Sequence, residues 1–310
     1  MGLLDWLFPG RGFGIDELAR RLDVDPARLR AMRPSYREFT IAKRGGGRRR
    51  ILAPDAELKA LQRRILRRLL RRLKAHPAAK GFERGQSIVS NARVHQGRAV
   101  LLRFDIQNFF PSTRAKRVNQ YFRRIGWNRP AARLLSRLCT WEDALPQGAP
   151  TSPRLSNLVN YRLDARLAAM AAKLNAVYTR YADDMTISFA KDDEDPAEQS
   201  NRIHYMQRFV CRAVEEQGYL LHFRKKLSIR RRHQCQMVTG LVVNERVNLP
   251  RKVRRWLRAV EHRSQSQRSF SLKPDQPLDY RRRKQPTLTA TQLEGWRALQ
   301  AMVARQAADG

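Results

Sequence analysis

At two places in this chain, aspartates stand at the ends of short apolar runs, and this feature constrains the fold more than any other. The first runs from Val100 to Ile106 and contains Asp105; the second consists of two runs, Val177–Tyr181 and Met185–Phe189, separated by Ala182-Asp183-Asp184. Short apolar runs of this length predict buried β-strands. A carboxylate beside a buried strand is costly unless a cation meets it, and adjacent carboxylates repel each other. The pattern therefore predicts either a divalent metal site or a plain hairpin turn in water.

The charge balance points to a polyanionic partner. The chain has 310 residues and carries 63 lysines and arginines against 28 acidic residues, a formal net charge of +35 with a pI of about 11.5. This excess favours nucleic acid as the partner. A membrane surface is the competing interpretation, but no apolar run approaches the roughly 18 residues of a spanning helix. The three cysteines form no CxxC pair, so we expect a cytoplasmic protein with no membrane partner.

Short β-rich runs alternate with helical stretches through the middle of the chain. Helices are expected over 153–173 and 198–217, interleaved with the strands described above. This alternation predicts an α+β fold with a ferredoxin-like sheet and helices on one of its faces.

Near the start of the chain, residues 15–32 read as two short helices joined at Val24-Asp25, with Pro26 at a helix start. A helix-turn-helix that binds DNA is one interpretation. We favour a helical lead-in packed on a larger domain, because no dimerisation element or second unit follows.

The most basic segment spans residues 43–74, with thirteen lysines and arginines against two acids. It begins in a glycine-rich loop between two expected strands, 39–41 and 51–52, and continues into a helix that Asp55 can cap. Arginines occupy one face of that helix, and the expected buried stripe on the other comprises Leu58, Leu61, Ile65, Leu69 and Leu73. Because the segment would repel itself without a bound polyanion, it predicts a nucleic-acid contact.

The chain becomes basic again near its end. Arg251 and Arg255 begin this part, a low-complexity stretch follows at 264–269, and a closing helix is expected over 291–305. We interpret residues 245–310 as a small helical module with a flexible basic insertion.

Three motifs in a fixed order carry a family resemblance. Tyr181-Ala182-Asp183-Asp184 resembles the YADD box of reverse transcriptases, and residues 104–110, Phe-Asp-Ile-Gln-Asn-Phe-Phe, resemble the first palm motif of the same enzymes. Between them, residues 145–157 are similar to the family's LPQGxPxSPxLSN box. The resemblance implies a right-hand polymerase with fingers, a ferredoxin-like palm and a small helical thumb.

By this resemblance, Asp105, Asp183 and Asp184 are the catalytic carboxylates and, with Ile106, hold two Mg²⁺ ions, with Mn²⁺ as a possible substitute. Phe110 matches the aromatic residue that lies under the sugar and selects deoxynucleotides; a core phenylalanine is the rival interpretation, and Phe109 is expected to be one.

The resemblance also implies a nucleotide-binding set. Lys43 and Arg49 match basic residues that contact the triphosphate, with Arg44 and Arg48 as alternatives to Lys43. Gln147 supplies a donor and an acceptor near the incoming nucleotide, unless it is a loop amide bonded to nearby backbone. Gly148 lacks a Cβ and lets backbone approach the base pair closely.

Two adjoining residues of the same box bear on the helix that follows it. Ser152 can cap that helix and Pro153 can start it, and a helix N-terminus favours phosphate.

A downstream segment, residues 218–226, resembles the family's Gly-…-Asn-x-x-Lys-Thr sequence, whose lysine can act as a general acid on the departing pyrophosphate. Two positions depart from the pattern, since His222 replaces Asn and Lys226 replaces Thr. Lys225 is therefore the expected catalytic lysine, with Lys226 as the alternative.

Two shorter motifs resemble those of retron reverse transcriptases, which make a branched RNA–DNA molecule. Asn91-Ala-Arg-Val-His95 matches their NAxxH motif, and Val238-Thr239-Gly240 matches their VTG motif. The resemblance implies that these residues, with Arg251 and Arg255 in the thumb, bind RNA. A polar turn around Asn91 and His95 and a strand ending at Gly240 are the plain structural interpretations.

The resemblance implies four regions: an N-terminal helical lead-in over 1–35, fingers over 36–100, a palm over 101–244 and a basic helical thumb over 245–310. The implied function is an RNA-directed DNA polymerase that uses dNTPs to copy a cognate noncoding RNA into branched, RNA-linked single-stranded DNA (msDNA), primed from an RNA 2′-hydroxyl. It would hold an RNA–DNA hybrid and act in phage defence with a possible effector protein. Alternatives are a reverse transcriptase of another lineage and a non-catalytic RNA-binding protein.

Overall fold

The structure, a computed structural model, describes residues 12–42, 46–190, 195–222, 228–266 and 290–308. It opens with two short helices, α1 (Ile15–Leu22) and α2 (Pro26–Ala31). The Asp25 carboxylate caps α2 by accepting a hydrogen bond from the Arg28 amide at 2.8 Å. Buried leucines on both helices pack into a larger core: Leu18, Leu22 and Leu29. The pair is therefore packed on the larger domain, and its assignment as a lead-in stays a prediction.

An antiparallel hairpin and a basic helix follow. Strands β1 (Tyr36–Ala42) and β2 (Arg48–Pro54) are longer than predicted, and Asp55 caps helix α3 (Ala56–Ile65) as expected. The helix continues as a π-helical turn over Leu66–Leu70, with a bond from the Arg71 amide to the Leu66 carbonyl. Because a π-turn inserts one residue into the helical repeat, Leu70 takes the buried position that we predicted for Leu69.

Several further elements lead towards the central sheet. In chain order they are α4 (Ile88–Arg93), β3 (Val100–Asp105), α5 (Phe109–Ser112), α6 (Ala115–Arg124), α7 (Arg129–Cys139), α8 (Ser152–Val159) and α9 (Tyr161–Lys173). Helices α6 and α7 were not predicted from the sequence. Helix α7 nevertheless carries a start signal, since Asn128 accepts a hydrogen bond from the Ala131 amide and Pro130 lies in the first turn.

The helix predicted over 153–173 is interrupted at Asn160. Its side-chain amide donates to the Ser156 carbonyl at 2.8 Å and to the Tyr219 hydroxyl at 2.9 Å, and its Oδ1 accepts from Arg117. Asparagine forms such side-chain bonds at the expense of the helical backbone, so α8 ends and α9 begins at this point.

The central sheet holds four strands. Strands β4 (Ala176–Tyr181) and β5 (Asp184–Phe189) form a hairpin, helix α10 (Pro196–Glu215) follows, and β6 (Ser228–Arg231) returns to the sheet. The order is β4-β5-β3-β6, with antiparallel neighbours throughout. The chain thus runs β-α-β-β-α-β with α9 and α10 packed against the sheet. This confirms the predicted α+β class with a ferredoxin-like sheet.

The C-terminal part is a short hairpin and two helices. Strands β7 (Met237–Val238) and β8 (Leu241–Val242) are joined by Thr239 and Gly240, both with positive φ, as a type I′ turn requires. Helices α11 (Arg251–Ser266) and α12 (Ala290–Ala308) bring Trp256 and Trp296 edge to face at 5.6 Å. The basic insertion predicted between these helices falls largely on residues 267–289, outside the described ranges.

Three apolar cores hold these elements together. The first joins α1 and α2 to α3 and to helices α6–α8; the second lies between the sheet and helices α9 and α10; the third joins α4 to β7, β8, α11 and α12. Helices α6–α8, which the sequence analysis assigned to the palm, therefore share their core with the fingers and the lead-in.

None of the helices in the described ranges combines the length and apolar character needed to cross a membrane. The three cysteines, Cys139, Cys211 and Cys235, are unpaired, which agrees with their scattered positions.

His95 of the predicted NAxxH motif lies behind the sheet and is fully buried. Its Nδ1 lies 2.7 Å from the Ser188 Oγ and its Nε2 lies 2.7 Å from the Thr179 Oγ1, so both ring nitrogens are used between β4 and β5. Burial, with the positive charges of Arg98 and Lys80, lowers the pKa of His95 to about 3. In this position the residue links two strands, and no surface remains for the RNA contact that the sequence analysis proposed for it.

This burial predicts a pH dependence of stability. Below the pKa of about 6.5 that His95 has in the unfolded chain, the unfolded chain binds a proton that the folded protein does not bind. The free energy of unfolding should therefore fall by about 1.4 kcal/mol per pH unit because of this residue. Urea unfolding between pH 7 and pH 4 should show this slope in the native protein and a shallower one in His95→Gln. The exposed His204→Gln is the control and should keep the native slope. Equal slopes in all three proteins would contradict the prediction.

Candidate active site

The two aspartate stretches meet at one end of the sheet. Asp105, the last residue of β3, pairs in register with Asp184, the first residue of β5. Asp183 belongs to the two-residue turn between β4 and β5, and its carbonyl accepts a hydrogen bond from the Ile106 amide at 3.1 Å. The strand end is extended by the His222 amide, which donates to the Asp105 carbonyl at 2.9 Å. The fold thus brings the three predicted aspartates to one end of the sheet.

The carboxylate and carbonyl oxygens at this end of the sheet suit a hard divalent cation. Residues directly opposite on antiparallel strands have Cβ atoms about 4.5–5.5 Å apart, so the carboxylates of Asp105 and Asp184 can reach one ion. Ile106 is buried, and only its backbone carbonyl could take part. Arg103 already lies 3.5 Å from the Asp184 carboxylate.

In the described ranges no three His, Cys, Asp or Glu side chains form a ready-made metal cage. Mg²⁺ is usually held in proteins by one or two carboxylates together with substrate phosphates and water.

The loop that contains Gln147 and Gly148 docks on the fingers hairpin. The Leu52 amide donates to the Gln147 carbonyl at 2.8 Å. Gly148 has a φ of +132°, and a Cβ there would lie 2.6 Å from the Leu52 carbonyl oxygen. The close approach that requires glycine is therefore to the strand β2 backbone; the sequence analysis had assigned it to a base pair.

Arg49 lies on the β2 face that turns towards this loop. It shares that face with Ile51, whose side chain is next to Gly148. Arg50, on the opposite face, is bound by Glu38 and Glu142 at 2.7 Å. Arg48 is closer to the hairpin loop and donates to the Thr40 hydroxyl. Of these three arginines, Arg49 is the one on the same face of β2 as Ile51, the residue that contacts Gly148.

Ser152 does not cap the helix that follows this loop. Its hydroxyl donates to the Pro146 carbonyl at 2.7 Å, and α8 begins at Ser152 itself with Thr151 in the cap position. The predicted helix start was therefore correct, but the serine closes the preceding loop instead.

Three aromatic rings lie together beside the turn. Phe110 is half-buried, and its ring lies 6.2 Å from that of Phe82, which lies 6.4 Å from the Tyr181 ring. Phe109 is buried in the palm core, as expected. Phe82 is 45% exposed and has a φ of +65°, an unusual conformation for a bulky residue. Sequence reasoning missed Phe82, and only its backbone conformation singles it out.

A buried ion pair behind the turn was also missed. Arg180 and Asp164 are both fully buried and form two hydrogen bonds of 2.8 and 2.7 Å. The Arg180 Nη1 also donates to the Ala182 carbonyl at 3.1 Å, inside the turn between β4 and β5. Tyr178 donates to the same Asp164 carboxylate at 2.9 Å. Since Ala182 has a φ of +58°, this arginine holds a strained turn in place.

The segment before Phe82 supports the same turn from outside the palm. The Arg180 amide donates to the Ala78 carbonyl, and the Lys80 amide donates to the Arg180 carbonyl, both at 2.8 Å. A Cβ on Gly81 would lie 2.8 Å from the Ala182 nitrogen. The turn is therefore fixed from two sides.

The two short motifs proposed to bind RNA lie side by side. The Thr239 hydroxyl donates to the Ile88 carbonyl at 3.0 Å, so the hairpin with Val238 and Gly240 rests on helix α4, which contains Asn91. Val238 is buried in the core that these elements share, and Asn91 is buried with its Oδ1 unsatisfied. Gly240 is exposed at the tip of the hairpin, and Arg251 and Arg255 are exposed on α11.

Two predicted site residues, Lys43 and Lys225, lie outside the described residues, as do the alternatives Arg44 and Lys226. The described part of the second segment ends at His222, hydrogen-bonded to the Asp105 backbone.

Comparison with known proteins identifies the family. Residues 41–227 match the family described as "Reverse transcriptase (RNA-dependent DNA polymerase)". The Retron Ec86 reverse transcriptase of Escherichia coli is 36% identical over 249 residues, which cover 79% of this chain and 75% of that protein. The chain belongs to the retron reverse transcriptases. Members of the wider family use divalent metal ions, consistent with the carboxylates described above.

Further similarities support the assignment. The Retron Mx162 and Mx65 reverse transcriptases of Myxococcus xanthus are each 39% identical over 73% of this chain. This reverse transcriptase spans only about half the length of these two relatives, 52% and 55%. A solved structure of telomerase from Candida albicans superposes with a TM-score of 0.51 at 10% identity, covering 85% of this chain and 54% of that one. It supports the right-hand polymerase fold.

The contact at Gly148 predicts a sharp effect of a single methyl group. Gly148→Ala should push the loop away from β2 and reduce primer extension by roughly tenfold or more, because small displacements of positioning groups are costly. Gly97→Ala is a matched control, since Gly97 also has a positive φ, +70°, but open space around its Cβ position. Steady-state extension assays and thermal unfolding of both variants test this. Equal losses in both would mean that backbone strain, not the contact, matters.

The buried arginine predicts a second effect. Arg180→Lys keeps the charge but loses the bond to the Ala182 carbonyl, so we expect extension to fall about 10- to 100-fold and the divalent-ion concentration for half-maximal activity to rise. Tyr178→Phe is the control, because it removes a bond to Asp164 and leaves the Arg180 contacts. Activity is measured against metal concentration at temperatures where both variants are folded. An unchanged metal requirement in Arg180→Lys would show that the arginine only stabilises the fold.

Proposed function

We propose that this protein is an RNA-directed DNA polymerase that copies a structured noncoding RNA into DNA. The observation that carries the proposal is the in-register pairing of Asp105 and Asp184, with Asp183 in the adjoining turn. Two carboxylates held side by side at strand ends suit phosphoryl transfer, in which positioning and charge stabilisation supply most of the catalysis. The relatives named as retron reverse transcriptases support the same reaction.

Different residues of the described part of the chain have different roles in this reaction. Asp105, Asp183 and Asp184 would hold two Mg²⁺ ions, which supply charge neutralisation at the attacking and leaving oxygens. Arg49 binds the triphosphate from the fingers, beside the loop of Gln147 and Gly148. That loop positions the nucleotide against the carboxylates, because it is bonded to β2 on one side and continues into α8 on the other.

Phe110 suits the choice between deoxynucleotides and ribonucleotides. Its ring is half-buried beside Phe109 at 5.5 Å and Phe82 at 6.2 Å, so it is held on two sides. A ring fixed in this way can exclude a 2′-hydroxyl by contact.

The general acid for the departing pyrophosphate is proposed to be Lys225.

The rest of the proposal concerns the retron class. The template is a cognate noncoding RNA, the primer is a 2′-hydroxyl of that RNA, and the product is msDNA, made within an anti-phage system that includes an effector protein. The adjacent position of α4 and the Thr239-Gly240 hairpin supports a common RNA surface there, with Gly240, Arg251 and Arg255 exposed.

The decisive test combines a product assay with a binding assay. The gene is expressed with its flanking DNA, and total nucleic acid is examined for a short DNA whose mobility changes after RNase and after debranching enzyme. Asp183→Asn should abolish this product and leave RNA binding within about twofold, because it removes one charge and little surface. Asp143→Asn is the control, since Asp143 is exposed on a loop, and it should retain the product.

Each outcome of this test bears on a different part of the proposal. Equal synthesis by Asp183→Asn would refute the assignment of the carboxylates. Metal-dependent extension of an ordinary primer without a branched product would keep the polymerase and reject the retron product. RNA binding without any extension would favour a non-catalytic RNA-binding protein.

A further inference from the structure

An arginine-lined groove lies beside the first apolar core, and none of its lining residues belongs to the motifs described above. It has a volume of about 700 Å³ and lies between helix α1, the π-helical turn and the end of α6. Half of its ten lining residues are arginines: Arg20, Arg21, Arg67, Arg68 and Arg72. The remaining wall is apolar and comprises Leu69, Leu73, Phe122, Ile125 and Trp127. We call this site the arginine groove.

The charges of the arginine groove are only partly balanced. Glu17 binds Arg20 at 2.8 Å and Arg21 at 2.6 Å, and Asp23 reaches Arg68 at 3.4 Å. Among the residues that the structure describes, Arg67 and Arg72 have no acidic partner. Five guanidinium groups against two carboxylates leave three positive charges around one cavity. Like charges gathered around one cavity repel each other, and a bound anion would relieve this repulsion.

Several of these arginines are held in place. The Arg21 guanidinium lies 4.0 Å above the Phe13 ring and 5.2 Å from the Trp127 ring. The Arg67 Nε donates to the Arg63 carbonyl and the Arg68 Nη1 to the Arg21 carbonyl, both at 3.3 Å. Side chains that are already ordered lose less entropy when they bind a ligand.

The arginine groove is connected through one residue to the loop that contains Gln147 and Gly148. Arg154 of α8 donates to the Leu70 and Leu73 carbonyls, where the basic helix ends, and it forms an ion pair with Glu83. Helix α8 directly follows the loop of Gln147 and Gly148. A ligand in the groove is therefore held on the same packed unit as that loop.

The burial of the aromatic rings in the wall limits the kinds of ligand that the arginine groove can bind. Proteins that bind single-stranded nucleic acid offer exposed aromatic rings on which bases stack. Here the two rings that line the groove, Phe122 and Trp127, are 0% and 4% exposed and offer no stacking surface. The nearby Phe13 ring is 42% exposed but has the Arg21 guanidinium 4.0 Å above it. Arginines without a stacking ring suit the phosphate backbone of a double-helical segment.

We propose that the arginine groove binds the sugar–phosphate backbone of a double-helical part of the RNA, independently of its sequence. The inference rests on the proposed function, in that the protein must bind structured RNA. It assigns a role to the N-terminal helices and to the basic helix, whose arginines would dock the folded RNA on the fingers.

The test compares two triple variants with the same change in charge. Arg67→Gln, Arg68→Gln and Arg72→Gln remove three charges from the groove. Arg162→Gln, Arg208→Gln and Arg212→Gln remove three exposed charges from helices α9 and α10. Binding of a fluorescein-labelled RNA hairpin is measured by anisotropy at several salt concentrations, with a DNA hairpin of the same sequence in parallel. Thermal unfolding checks that both variants fold.

We expect the groove variant to bind the RNA hairpin roughly tenfold or more weakly and to lower the slope of log K against log salt by about 2 to 3, because each lost phosphate contact lowers it by nearly one. The control should change both quantities little. Equal weakening in the two variants would overturn the proposal in favour of diffuse attraction. Equal dependence of DNA-hairpin binding on the groove would overturn its assignment to RNA.

A second measurement does not depend on the variants. Photocrosslinking of the RNA hairpin to the native protein should label peptides that contain Arg20 and Arg21 or Arg67 to Arg72. Labelling confined to other peptides would overturn the proposal. If the native protein bound no RNA at all, the proposed function itself would fail, whereas native binding that is unaffected by the groove variant would refute only the groove.

Discussion

The structure depends on holding two carboxylates together where they repel each other. Asp105 and Asp184 face one another at the ends of adjacent strands, and Asp183 lies in the turn beside them. Such a cross-strand pair is destabilising in isolation, so the surrounding fold must fix it. The Ile106 and His222 amides tie the strand ends, and Arg103 supplies a positive charge near Asp184. The buried Arg180–Asp164 pair holds the turn from behind.

Positive charge is distributed to complement these carboxylates and a polyanion. Arg49 faces the loop of Gln147 and Gly148, while Arg50 on the other face of the same strand is neutralised by Glu38 and Glu142. The arginine groove is lined by other residues and is connected to the loop through Arg154. Because electrostatic attraction to nucleic acid does not depend on sequence, many arginines can hold the RNA while few contact the reacting groups.

How far the sequence alone predicted the site differs between residues. The three aspartates, Gly148 and the hairpin of β1 and β2 follow from local patterns, because strand period and motif spacing are properties of the chain itself. Phe82, Asp164 and Arg180 gave no such signal, since their partners are distant in sequence. Asn91 and His95 were read as RNA-binding from their motif, but both side chains are buried, and burial is not visible in a five-residue pattern. The helices α6 and α7 went unpredicted although Asn128 and Pro130 mark the start of α7.

The α+β class, the excess of positive charge and the family could all be predicted from the sequence alone. These properties depend on local periodicity, composition and motif spacing. Tertiary packing sets the pairing of Asp105 with Asp184, the burial of Leu70 in place of Leu69, the burial of His95 between Ser188 and Thr179, and the convergence of α1 with the basic helix in one groove. Each of these needs contacts between segments far apart in the chain, which packing selects and no local pattern encodes.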